Sequence, residues 1–181
     1  RRRGSTRRSR VSARSGSEMH RVYIGLGSNL GDRKANLREA EEKLSALPAT
    51  RIVKASSLYE SEPHGNAKTW FVNNVLELET EFEADELLKR TKAIETTMGR
   101  KRVKGKRWGS RIIDLDLLLF DNQTVAKRSL KIPHPEMHKR RFVLLPLSEL
   151  APHITHPQHG STISELLGGL KDPKKIVLLR P

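Results

Sequence analysis

Between His20 and Phe120 the apolar positions switch between the two-residue period of a strand and the 3.6-residue period of a helix. His20-Arg-Val-Tyr-Ile-Gly-Leu-Gly27 alternates as a strand and ends in the turn Gly-Ser-Asn-Leu-Gly-Asp. Leu37, Ala40, Leu44 and Leu47 then recur at helical spacing until Pro48 closes the segment. Residues 50–57 read as a second strand, followed by a polar loop with Pro63 and Gly65, and residues 70–78 as a third. From Glu83 to Met98, the positions Leu87, Leu88, Thr91, Ile94 and Glu95 mark a second amphipathic helix. Residues 111–120 form a fourth, very apolar strand. The order β-α-β-β-α-β predicts an α+β, ferredoxin-like fold, an antiparallel four-stranded sheet with both helices on one face. Beyond Gln123 the pattern predicts a short extended segment and a C-terminal helical extension near 142–150 and 162–167. There is no internal repeat and no second domain.

Composition narrows the chemistry. The 181 residues include no cysteine, which excludes disulfides, a thiolate nucleophile and Cys-held zinc or iron–sulfur clusters. No apolar run approaches the ~18–20 residues of a membrane-spanning helix, so a cytoplasmic protein is expected. The net charge of +14 points to an anionic partner, nucleic acid or a phosphorylated small molecule. Residues 1–18 contribute +6 and residues 99–111 contribute +7, which leaves +1 for the rest. The first segment is rich in Arg, Ser and Gly and is expected to be a disordered arm ahead of a domain at 19–181. It reads as a nucleic-acid-binding tail, an organellar presequence, or sequence upstream of a start at Met19. The second is either a solvated basic loop or, given Gly99, Gly105 and Gly109, a lid over phosphates.

Two nucleotide motifs are imitated without being met. Gly25-Leu-Gly-Ser-Asn-Leu-Gly31 places its last glycine one residue too late for a dinucleotide fingerprint, and the element order is not that of a Rossmann unit. Gly65-Asn-Ala-Lys-Thr69 has Ala67 where a P-loop needs glycine, and it leads into a strand.

The strongest chemical signal is Asp114-Leu115-Asp116. Side chains at i and i+2 of a strand share a face, so two carboxylates stand together while Ile113, Leu115 and Leu117 occupy the other side. Such a pair repels itself unless a cation compensates, and oxygen-only donors favour Mg²⁺ with substrate phosphates. A water-facing sheet edge and a proton-shuttling pair are the alternatives. Arg100, Arg102, Arg107 and Arg111 lie just before the pair and offer planar forks for phosphate oxygens. In Pro133-His-Pro-Glu-Met-His-Lys-Arg-Arg-Phe142, His134 is a satisfied structural histidine or a phosphate donor, and Arg140 and Arg141 are a solvated face or phosphate ligands. Phe71 and Asn73 share a strand face that suits either a core edge or a planar heterocycle with a lactam edge.

Taken together, several motifs resemble one family in unbroken order over about residues 21–170. They are Gly27-Ser-Asn-Leu-Gly31, Ser56-Ser-Leu-Tyr-Glu-Ser-Glu-Pro63, Phe71-Val-Asn73, Glu95 with Gly99-Arg100, Arg107-Trp-Gly-Ser-Arg-Ile-Ile-Asp-Leu-Asp-Leu117 and Pro133-His-Pro-Glu-Met137. The chain is similar to the 6-hydroxymethyl-7,8-dihydropterin pyrophosphokinases of folate biosynthesis, which move a pyrophosphoryl group from ATP to a pterin alcohol.

That resemblance implies the following roles. Asp114 and Asp116 hold two Mg²⁺ ions, and Arg100, Arg111 and Arg102 stabilise the moving phosphoryl group. His134 and Arg140 bind the triphosphate. Asn73 reads the pterin edge, Phe71 and Phe142 sandwich its ring, and backbone near Ser61 and His64 completes that pocket. Trp108 and Arg107 close over the site, Leu117 and Leu130 line the adenine pocket, and Glu95 supports from the second helix. Pro135 stands where relatives often carry an aromatic residue, and the basic arm has no counterpart in the family core.

The expected protein is a monomeric, Mg²⁺-dependent diphosphokinase acting on ATP and the pterin. The competing reading is a basic RNA- or DNA-binding module on a ferredoxin-like sheet, which would need exposed aromatics where the chain has Asp114 and Asp116. Removal of residues 1–18 is expected to leave pyrophosphoryl transfer intact, measured as AMP release; a large loss would contradict a dispensable arm.

Overall fold

The computed structural model of the chain describes residues 18–63, 68–99 and 111–180. Most of the arm and of the cationic loop therefore lies outside the described residues. The element order is β1 (His20–Ser28), α1 (Arg33–Ser45), β2 (Thr50–Ala55), β3 (Tyr59–Ser61), β4 (Phe71–Thr80), α2 (Ala84–Thr97), β5 (Asp114–Phe120), β6 (Val125–Ala126), β7 (Lys131–Ile132), α3 (Arg141–Leu150), α4 (Ile163–Gly168) and β8 (Ile176–Leu178). Asp32 caps α1 by accepting the Ala35 N–H at 3.0 Å, and Thr162 and Glu165 form a reciprocal capping box on α4. No helix among the described residues is long and apolar enough to cross a membrane.

The main sheet runs β5-β1-β4-β3-β8, with β2 also paired to β4, and every pairing is antiparallel. β4 carries β3 along Phe71–Asn73 and β2 along Leu76–Thr80. Among the described residues the sheet thus has six strands where periodicity predicts four. The second strand divides at Ser56, whose N–H donates to the Val75 carbonyl and whose hydroxyl accepts the Val75 N–H, both at 2.9 Å. That side chain takes a bond the strand ladder would otherwise make, and the chain restarts as β3. β3 and β8 are each too short to show a period.

Alternation along β1 sorts two cores. Val22, Ile24 and Leu26 face α1 and α2, where Leu37, Ala40, Leu44, Leu87 and Ile94 meet them. Tyr23 faces the other way, with Val75, Leu118 and Leu119, under Val143, Leu144 and Leu147 of α3 and Ile163 of α4. A register shift between Tyr23 and Ile24 leaves Leu118 unpaired on β5 and sends both Leu118 and Leu119 into this second core. The C-terminal helices therefore cover the sheet face opposite α1 and α2. Each fully buried aliphatic side chain contributes ~1.5–3 kcal/mol relative to exposure, so both faces are anchored. The cover of α3 ends where β1 changes from Tyr23 to Gly25 and Gly27, and there the second face opens into a cavity.

Candidate active site

The cavity has a volume of about 660 Å³ and is floored by the open end of the sheet. In register, Gly25 of β1 stands opposite Asp116 on one side and Val75 on the other, and Gly27 stands opposite Asp114 and Asn73. The two glycines leave this stretch of floor bare between the acidic strand and the amide strand. A Cβ on Gly27 would sit 3.0 Å from the Asn73 Oδ1 and 3.7 Å from the Phe71 ring. Sequence reasoning reads Gly25 as part of a failed fingerprint and Gly27 also as the start of a family motif, and assigns neither to a floor; their signal is that both fall on the same side of an alternating strand.

Asp114 and Asp116 project together into the cavity, as strand geometry predicts. Burial, then the neighbouring Asp114 charge, pushes the Asp116 carboxyl up to about 6, against the pull of Lys92, Arg140 and Arg111. Arg111 forms an ion pair with Asp114. Lys92, absent from the predicted set, reaches the lining from α2 while holding Glu95 at 3.1 Å. Its signal is the three-residue spacing to Glu95, which puts both on one helix face.

Glu95 is 1% exposed and does not line the cavity. Its Oε1 accepts the Leu115 N–H at 2.8 Å, between the two aspartates, and so satisfies an outward N–H of edge strand β5. Asn29 is a second clamp that sequence reasoning misses. Its Oδ1 accepts the Arg111 N–H at 2.6 Å, its N–H donates to the Arg111 carbonyl at 3.1 Å, and its amide donates to the Thr69 hydroxyl at 3.1 Å. The backbone leading to the acidic strand is thereby tied to the backbone leading to Phe71.

His134 lines the cavity, and its Nδ1 accepts the Glu136 N–H at 3.2 Å. Burial, reinforced by Arg140, lowers its ring to about 4. At physiological pH the ring is therefore neutral with its proton on Nε2, a fixed donor for an anion. Arg140, at the start of α3, lies over the Phe142 ring at 5.8 Å. Across the cavity Asn73 donates its amide to the buried Ser61 hydroxyl at 2.8 Å, which fixes the orientation of the amide beside Phe71.

Of the predicted site residues, Ser61, Phe71, Asn73, Arg111, Asp114, Asp116, His134, Arg140 and Phe142 come together around one cavity. Leu117 and Leu130 do not line it: each is 4% exposed and packed in the core on the α1/α2 side of the sheet. His64, Arg100, Arg102, Arg107 and Trp108 lie outside the described residues. Paired carboxylates ringed by cations, beside an aromatic ring and an oriented amide, suit a polyphosphate held next to a planar, amide-bearing ring.

Comparison with known proteins identifies the family. The chain belongs to the 7,8-dihydro-6-hydroxymethylpterin-pyrophosphokinase (HPPK) family, which it matches over residues 23–152. It is 40% identical over 159 residues to the 2-amino-4-hydroxy-6-hydroxymethyldihydropteridine pyrophosphokinase of Methylorubrum extorquens, covering 87% of this chain and 98% of that protein. It is 43% identical over 150 residues to the protein of the same description in Pseudomonas aeruginosa, covering 82% of this chain and 91% of that protein. Its fold is similar to a crystal structure of Plasmodium falciparum HPPK-DHPS with pteroate, with a TM-score of 0.65 at 17% identity. That likeness covers 83% of this chain but 42% of the longer one, so this chain spans less than half of that protein.

The bare floor gives a direct test. Gly27→Ala is expected to push the Asn73 amide off Ser61 and to destabilise the fold by about 1–3 kcal/mol in denaturant unfolding. Gly168→Ala, where a Cβ meets nothing within 4 Å, serves as the neutral control. Equal stability of both variants, with unchanged Asn73 amide signals by NMR, would contradict the close approach.

Proposed function

We propose that this chain transfers the pyrophosphoryl group of ATP to the hydroxymethyl oxygen of 6-hydroxymethyl-7,8-dihydropterin, releasing AMP, as a step of folate biosynthesis. The observation that carries the proposal is the convergence of Asp114, Asp116, Arg111, His134 and Arg140 on the cavity that also holds Phe71 and Asn73. The pterin would lie between Phe71 and Phe142, its lactam edge read by the amide that Ser61 orients. The triphosphate would lie toward His134 and Arg140, where a neutral Nε2–H and a guanidinium donate to phosphate oxygens. The pterin oxygen attacks the β-phosphorus in line and gives its proton to solvent, while the bond from the β-phosphorus to the oxygen it shares with the α-phosphate breaks and AMP leaves.

Magnesium fits the donor set. Asp114 and Asp116 offer only oxygen, and burial together with mutual repulsion raises the Asp116 carboxyl to about 6, a cost to the paired charges that a divalent cation would offset. These two residues would hold the ions, and bound Mg²⁺ supplies positive charge to the phosphate oxygens as the bond order shifts. Arg111, paired with Asp114 in the free chain, would donate to the phosphates if a metal took over that carboxylate.

The strand order also supports a ferredoxin-like frame with a C-terminal helical extension. The chain is taken to act as a cytoplasmic monomer. The nucleic-acid alternative loses its support at the sheet face, where two carboxylates would repel a phosphate backbone.

Incubation with ATP, Mg²⁺ and the hydroxymethyl pterin is expected to release AMP rather than ADP. Asp116→Ala should lower turnover by about 10³-fold or more while far-UV circular dichroism stays native. Release of ADP, or an active Asp116→Ala enzyme in Mg²⁺, would contradict the proposal.

A further inference from the structure

Three histidines with no part in that chemistry meet on the C-terminal side of the fold. His138 lies in the 3-10 turn Met137–Lys139, and His156 and His159 lie in the loop between α3 and α4. Ring centroids are separated by 4.2 Å for His138 and His159, 4.6 Å for His156 and His159, and 6.1 Å for His138 and His156. One ring nitrogen of each lies within 4.8 Å of those of the other two. None of the three lines the substrate cavity.

Two of these nitrogens stand without a partner. His138 Nδ1 and His156 Nε2 are buried and make no hydrogen bond among the described residues, and His156 as a whole is 1% exposed. Buried ring nitrogens are ordinarily satisfied, and two orphans in one three-ring cluster point to a missing partner. The loop that presents them is already shaped. Thr155 and Thr162 close it as a β-bridge, the His156 N–H donates to the Ser161 carbonyl at 2.8 Å, and the His156 carbonyl accepts the Gly160 N–H at 2.9 Å. Burial, then the neighbouring His159 ring, lowers both His138 and His156, so both rings are neutral at physiological pH, the form that ligates a metal.

We propose that His138, His156 and His159 form a binding site for one zinc-class transition-metal ion, with a fourth position open to water. Three imidazoles without a carboxylate select zinc, nickel or copper over magnesium or calcium. Zinc–nitrogen bonds of ~2.0–2.1 Å place tetrahedral donors ~3.3 Å apart, so the site closes by rotation of its rings, for which exposed His159 has the most room. Capture at His156 Nε2 moves the ring proton to Nδ1 and gives up the bond that Nδ1 accepts from the Gln158 N–H at 3.2 Å. The ring stays neutral, no proton is released, and the lost bond weakens affinity by about fivefold to tenfold. A bound ion would tie the α3–α4 loop to the turn that leads directly into Arg140, bracing the segment between His134 and Arg140 from outside the cavity.

The test uses the full chain without an affinity tag, with excess Mg²⁺ to occupy the carboxylates. Zn²⁺ titrated against a chromophoric chelator is expected to bind one equivalent per chain and to raise the melting temperature. Co²⁺ in its place should give the visible absorption of a tetrahedral nitrogen site. His159→Ala, at an exposed position, should weaken binding by more than the ~10–100-fold that loss of an outer-shell partner costs, and His138→Gln should do the same. Asp116→Asn should leave zinc binding unchanged. No binding by the parent chain, or binding that survives in both histidine variants, would overturn the proposal. So would zinc binding that is lost in Asp116→Asn.

Discussion

Two carboxylates placed two residues apart on a strand cannot turn away from each other, and this constraint organises the cavity end of the molecule. Alternation that buries Ile113, Leu115 and Leu117 against the helices sends Asp114 and Asp116 to the opposite face. Turning either acid aside would require a break in the strand and the loss of a buried aliphatic partner. The cost of the arrangement is visible at Asp116, where burial and the neighbouring charge favour the proton. Lys92, Arg111 and Arg140 oppose that cost from three different elements, α2, the approach to β5 and the start of α3.

The surrounding fold holds this strained pair in place rather than relieving it. Glu95 takes the Leu115 N–H between the acids, and Asn29 fixes the Arg111 backbone on its way into β5. The second core, with Tyr23, Leu118 and Leu119 under α3, anchors the inner end of the same strands. Beyond it the floor is stripped to Gly25 and Gly27, so a substrate can lie directly on the sheet between acid and amide. Rigid support and a vacant floor are two consequences of one strand pattern. Electrostatic preorganisation of this kind acts without reorganisation at the moment of reaction.

Much of this was legible in the sequence, for a definite reason. Strand alternation and helical spacing are local, so the two helices of the first core, the shared face of Asp114 and Asp116, and that of Phe71 and Asn73 follow from residue order alone. What escaped depends on distant pairing. The split at Ser56 is set by its bonds to Val75, and β8 exists only because β3 offers an edge to Ile176–Leu178. The clamps made by Asn29 and Glu95 join residues far apart in the chain, and neither spacing nor composition encodes such a partner. The inward turn of Leu117 follows from the same alternation that exposes Asp116; a pocket role for that side chain came from resemblance, whereas periodicity alone assigns it to the core.

Direct observation of the Asp116 carboxyl by carbon-detected NMR, across a pH titration, tests the central claim most closely. In the metal-free chain the group should titrate near 6. Its folded value is raised, so the proton stabilises the fold at low pH, and that contribution is lost as pH rises toward 6. With Mg²⁺ and a non-hydrolysable ATP analogue the same group should remain ionised well below its metal-free midpoint, because the cation takes the proton's place. A midpoint that does not move when metal and nucleotide are added would contradict the account.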